Sequence, residues 1–248
     1  RHIFMKIIFV LCLVISCNSK HGGQGPNKIQ DDTCNDLLPD DLFNVEIPSY
    51  ELTNILSILP SKSLPIPDIM TYIESDTSIR TLRLQESSSL DITLISSNGN
   101  GINTFGYLVL DDQNDIISNE VIFSNTAFSK KGCMQSGDTL TIGPFNSDTN
   151  LGFYVDIGQD ASEWITTQSS VLQLDTTQHF AVYHEIESNK FIFGINAKLS
   201  DTRRNFADII ISVSTENIAN VVNTTDMLQL IGTTIADTFS ECNSNSDD

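Results

Sequence analysis

From Leu82 onward the apolar residues of this chain recur at every second position. The sets Leu90/Ile92/Leu94, Phe105/Tyr107/Val109, Leu140/Ile142, Leu151/Phe153/Val155/Ile157, Phe180/Val182, Phe191/Phe193/Ile195 and Ile209/Ile211/Val213 each place their side chains on one face of an extended strand. A helix would scatter the same residues around its axis, so the alternation commits this region to strands. Between the sets stand Asn98-Gly99-Asn100-Gly101, Asp111-Asp112-Gln113-Asn114-Asp115, Lys131-Gly132, Ser136-Gly137-Asp138 and Ser188-Asn189, the residue types that reverse a chain tightly. Many short strands punctuated in this way form two antiparallel sheets that bury their marked faces against each other. The expected fold is all-β, a jelly-roll-like antiparallel β-sandwich over residues 82–215.

The flanks read differently. Tyr50-Glu51-Leu52-Thr53-Asn54-Ile55-Leu56-Ser57-Ile58-Leu59 has helical spacing and stops at Pro60, and Ile66 to Ile79 has room for a second short helix. Residues 37–81 are therefore an N-terminal extension with short helices, and 216–248 a C-terminal extension. Phe43-Asn44-Val45-Glu46-Ile47 alternates, so Phe43, Val45 and Ile47 mark a strand able to add to a neighbouring subunit, and Ile218 to Phe239 is its C-terminal counterpart.

Met5-Lys6 precedes an unbroken apolar run from Ile7 to Ile15, too short for a bilayer span of ~20 residues and flanked by a cation as in an export signal. Residues 1–16 read as a signal peptide and 17–36 as a flexible tether. Val14-Ile15-Ser16-Cys17 resembles a bacterial lipoprotein signal, which makes the Cys17 thiol the lipid attachment point; cleavage near Ser19 would instead release the protein. The expected location is extracellular or cell-surface, with membrane contact only through a lipid anchor.

Charge narrows the partners. The chain carries 13 Lys+Arg against 32 Asp+Glu, a formal net charge of −19. That field repels phosphate and excludes nucleic acid. Beyond the leader the cysteines are Cys34, Cys133 and Cys242, an odd set without the close pairing of a zinc site, and an exported compartment permits one disulfide joining Cys133 to Cys34 or to Cys242. Asn223-Thr224-Thr225 is an acceptor sequence for N-glycosylation.

Thr104-Phe105-Gly106-Tyr107, Val121-Ile122-Phe123-Ser124-Asn125, Ser136-Gly137-Asp138-Thr139-Leu140-Thr141-Ile142-Gly143-Pro144-Phe145, Leu151-Gly152-Phe153-Tyr154-Val155 and Arg204-Asn205-Phe206-Ala207-Asp208-Ile209-Ile210 together resemble the domain of unknown function 4114, a module of bacterial surface proteins. The resemblance spans about Leu82 to Thr215 and implies an exported β-sandwich without catalytic activity. It also implies a calcium loop of the form D-x-D-F-N-D before the last hydrophobic strand. In this chain Arg203, Asn205 and Ala207 stand at positions that are acidic or amidic in that pattern, which leaves Asp201, Asn205 and Asp208 as candidate ligands where calcium takes about six to eight oxygens.

No enzyme constellation accompanies the pattern. His179 and His184 are separated by an odd number along one strand and face opposite ways. Asp111, Asp112 and Asp115 fall in a polar hairpin loop, where they are solvated rather than set up as a catalytic carboxylate pair. Trp164 is the one tryptophan available as a glycan platform. The expected function is a structural subunit of a surface filament or layer, binding copies of itself or other surface proteins, with a glycan-binding adhesin module as the alternative; no cofactor other than calcium is implied.

Overall fold

The computed structural model describes residues 38–59, 80–98, 103–128, 133–158, 164–167, 178–185, 190–198, 206–216, 221–222 and 228–230. The strands are β1 (Phe43–Asn44), β2 (Leu82–Leu84), β3 (Ser88–Ser97), β4 (Thr104–Leu110), β5 (Ile116–Phe123), β6 (Asp138–Phe145), β7 (Asn150–Asp156), β8 (Trp164–Thr166), β9 (Phe180–Glu185), β10 (Lys190–Ile195), β11 (Ile209–Ser214), β12 (Val221–Val222) and β13 (Leu228–Leu230), and the helix α1 is Ser49–Ile58. One sheet has the order β1-β6-β3-β11-β10-β9-β13, and the other β12-β2-β7-β4-β5 with β8 alongside β7. Every pairing is antiparallel except β13 on β9. The fold is an all-β sandwich.

Its wrapping follows from the crossovers. β3 and β4 lie in opposite sheets, as do β6 and β7, while β6 pairs with β3 and β7 with β4. The β3–β4 ribbon is thus rolled against the β6–β7 ribbon through both layers, in the manner of a jelly roll. The apolar sets read from the sequence all enter the space between the sheets, fully or as its margin. At the centre Phe153 stacks on Phe105 with centroids 5.8 Å apart, and meets Phe193 of the opposite sheet at 4.8 Å. A ring that touches both layers cannot be truncated without opening a cavity between them.

A second apolar layer lies outside the first sheet. Ile95, Ala181, Tyr183, Ile192 and Ile210 point away from the inner core and pack with Ile55 and Leu59 of the N-terminal segment. Helix α1 begins after Pro48, and Leu59 leaves helical geometry immediately before Pro60. Leu52, Ile55 and Ile58 recur at helical spacing on the face that covers the sheet, while Tyr50 faces solvent.

The described parts of the terminal extensions belong to the sandwich. One compact unit, Asp32–Asp248, contains every described residue. β1 lies on β6, β12 on β2 and β13 on β9, all within the same chain. The physical reason is the bare outer face and open edges of the sheets, which the nearest available apolar segments cover. The second helix expected over 66–79 and the turn at Lys131-Gly132 lie outside the described residues.

Candidate functional groove

Strand β5 follows β4 through a tight loop. Asp111 Oδ1 accepts the backbone N–H groups of Gln113 at 2.9 Å and Asp115 at 2.8 Å, and Asn114 adopts φ 64°. The loop carboxylate thus serves the turn. β5 then runs as the outermost strand of its sheet, and its register against β4 shifts twice, between Phe105/Gly106 and between Val109/Leu110. Such shifts bend the strand and increase its twist locally. Ile117 and Val121 are 66% and 55% exposed.

The register places Glu120 opposite Tyr107, on the face that otherwise looks into the core. The Tyr107 hydroxyl donates a hydrogen bond to Glu120. Burial, that bond and the neighbouring carboxylate charge, in that order, hold the phenol well above its ordinary value of 10.0, so it stays a neutral donor. Across from β5, β6 pairs with β1 only at Asp138 and Thr139. Beyond that point no strand covers the outer side of β6 among the described residues. The two uncovered edges flank an open groove of about 500 Å³. Its chemistry comes from Asp41, Tyr107, Glu120, Thr141 and Phe145, with apolar wall from Val121 and Ile142. Tyr107 and Phe145 meet edge-to-face, with centroids 5.4 Å apart at 82°. No Lys, Arg or His is among the described lining residues.

The residues singled out from the sequence lie elsewhere or outside the described residues. Asp208 is 7% exposed; its Oδ2 accepts the Ala197 N–H at 3.1 Å and its Oδ1 lies 3.5 Å from Lys198 Nζ. Asp201 and Asn205 fall outside the described residues, as do Cys17, Cys34, Cys242 and Asn223. Among the described residues no group of three or more His, Cys, Asp or Glu side chains is disposed to hold a metal ion. Cys133 is disulfide-bonded, and no other described residue is a cysteine, so its partner lies outside them. His179 is fully buried just before β9, with Nδ1 2.8 Å from the Asn196 carbonyl oxygen, and His184 stands in β9 beside the Phe191 ring. Trp164 stacks on Tyr154 at 4.3 Å against the outer face of the second sheet, away from the groove. Ile47 packs under α1, whereas Phe43 and Val45 remain exposed.

The groove itself had a legible component, since Tyr107 and Phe145 belong to pieces that stood out in the sequence. Glu120 did not stand out. Its strand, Ile116-Ile117-Ser118-Asn119-Glu120-Val121-Ile122-Phe123, loses the period of two at its register shifts. Among known proteins, no family model, curated sequence or solved structure matches this chain. No helix among the described residues is long and apolar enough to cross a membrane.

Proposed function

We propose that this protein is a non-catalytic, exported surface module that holds another protein by accepting an extended segment along β5. The observation that carries this reading is the contrast among sheet edges. Those of β6, β2 and β9 are met by two- or three-residue strands of the chain's own termini, while eight-residue β5 has no strand on its outer side among the described residues and presents Ile117 and Val121 to solvent. Main-chain hydrogen bonds to such an edge supply affinity, and pockets for alternate side chains supply selectivity. The apolar leader and the disulfide at Cys133 support an address outside the reducing cytosol.

Copies of the chain are poor occupants of β5. Each carries a net charge of −19, and Glu120 stands on the inner register of the edge. A filament built from this protein would instead exchange β1 between neighbours, a second reading favoured by the exposure of Phe43 on a two-residue strand and of Val45 just beyond it. Hydrogen exchange on the purified protein separates the readings. An added extended peptide, acetyl-Val-Lys-Val-Thr-Val-Lys-Val-amide, is expected to slow exchange across Ile116–Phe123 and nowhere else. Unchanged exchange there, with self-association that disappears when the segment around Phe43 is deleted, would give the filament reading the field.

A further inference from the structure

We propose that the groove between β5 and β6 is a binding site for a protonated primary amine, the side chain of a lysine carried by the segment docked on β5. The way the lysine is presented rests on the docking reading; the amine site rests on the groove alone.

Size comes first. A volume of about 500 Å³ falls within the ~300–1,000 Å³ of small-ligand pockets, and exceeds what one lysine side chain fills, which leaves room for water around the ammonium. Charge comes second. The described lining contributes two carboxylates, Asp41 and Glu120, and no basic group, on a chain whose net charge already draws cations. An anion is repelled from such a site, and an uncharged apolar side chain would leave the Glu120 carboxylate facing it without compensation.

The neutral Tyr107 phenol anchors Glu120 by donating to it, and a carboxylate accepts several hydrogen bonds at once, so an ammonium can share it. The rings of Tyr107 and Phe145 give the cation aromatic neighbours. Leu140 and Ile142 add apolar lining along which the methylene stem of a lysine can run while its head reaches the acids. The arrangement also discriminates. An inward-facing charge on an edge strand obstructs pairing with an arbitrary strand, so β5 is closed to apolar or acidic segments and open to one that brings the matching cation.

The probe is n-butylamine, which carries the lysine ammonium on a short alkyl stem, with n-pentanol as the uncharged control. Methyl resonances of Val121, Ile122, Leu140 and Ile142 report the groove by NMR. The amine is expected to shift them saturably, with affinity falling as salt is raised, and the alcohol is not. Glu120 is exposed, so Glu120→Gln tests charge without threatening the fold, and about tenfold weaker amine binding is expected. Tyr107→Phe keeps the ring and removes the anchoring hydroxyl, and weaker binding is expected there too. In the peptide, replacing both lysines by norleucine is expected to weaken binding by about tenfold or more.

If the amine leaves the groove methyls unmoved, or Glu120→Gln leaves its affinity unchanged, the amine site is overturned; protection of β5 by the peptide would then survive by itself. If the amine binds as expected and no peptide protects β5, the docking reading is overturned and the amine site stands.

Discussion

Lys190 Nζ lies 2.7 and 3.0 Å from the two carboxylate oxygens of Glu51, and Glu51 is only 3% exposed. The pair pins the first turn of α1 to β10 on the outer face of the sheet. Removing the cation leaves a carboxylate buried without a partner, a change that costs about 3 kcal/mol or more. Lys190→Met is therefore expected to lower the denaturation midpoint markedly, and Glu51→Leu combined with Lys190→Met to recover most of the loss, because no bare charge then remains. Urea titrations of the single and double variants check this; a wild-type midpoint in Lys190→Met would show that α1 is held by its apolar contacts alone.

Gly106 lets β4 pass beneath Tyr154. A Cβ there would sit 2.4 Å from the Glu120 carbonyl oxygen and 2.4 Å from the Tyr154 ring, and the carbonyl cannot yield without disturbing the β4–β5 ladder. Gly106→Ala is expected to cost about 2–3 kcal/mol. Since Glu120 moves with its backbone, the same variant is expected to weaken amine binding in the groove, measurable by the NMR titration above.

Tyr183 has its hydroxyl buried beneath α1 without a hydrogen-bond partner among the described residues, and burial pushes its phenol well above 10.0. The sign follows from proton counting. Above pH 10 the unfolded chain releases this proton while the folded protein retains it, so stability is full below that pH and declines as pH rises further. Tyr183→Phe is expected to flatten part of the alkaline loss. Near neutral pH it is expected to stabilise by about 1 kcal/mol, because an unsatisfied buried hydroxyl is removed. Thermal melts at neutral pH and above pH 10 decide both points; an alkaline slope unchanged by the substitution would contradict the assignment to Tyr183.

The inner core was legible because its side chains obey one geometric rule, and every alternating set from Leu90 to Val213 lies between the sheets. The outer apolar layer was less so. Tyr183, Ile192 and Ile210 fall between the inward-facing residues of strands whose inward positions are already apolar, a sign of burial on both faces that the period of two conceals. Helix α1 was readable from its spacing and from Pro60, but its seat on the sheet depends on contacts distant in sequence. β12 and β13 are too short to carry a period at all. In the groove the aromatic half could be seen in the sequence, whereas Glu120 acquires its position from a register shift that no spacing announces.

Asp208 joins three strand ends. Its N–H donates to the Ile195 carbonyl at 3.0 Å, its carbonyl accepts from the Asn98 N–H at 2.8 Å, and its carboxylate accepts from the Ala197 N–H and faces Lys198. The Lys198 ammonium beside this carboxylate opposes a second positive charge there, and the sequence of the preceding loop offers few acidic ligands, with Arg203 and Ala207 in it. Calcium is thus expected to leave the melting midpoint unchanged, while Asp208→Ala costs about 1–3 kcal/mol with or without the ion, and Asp208→Asn less because an amide oxygen still accepts from Ala197. Melts in calcium and in chelator test this directly. A true site at a hundredfold excess of calcium over its dissociation constant would add about 2.7 kcal/mol, and if that gain appeared and vanished in Asp208→Ala, Asp208 would be a ligand of the ion.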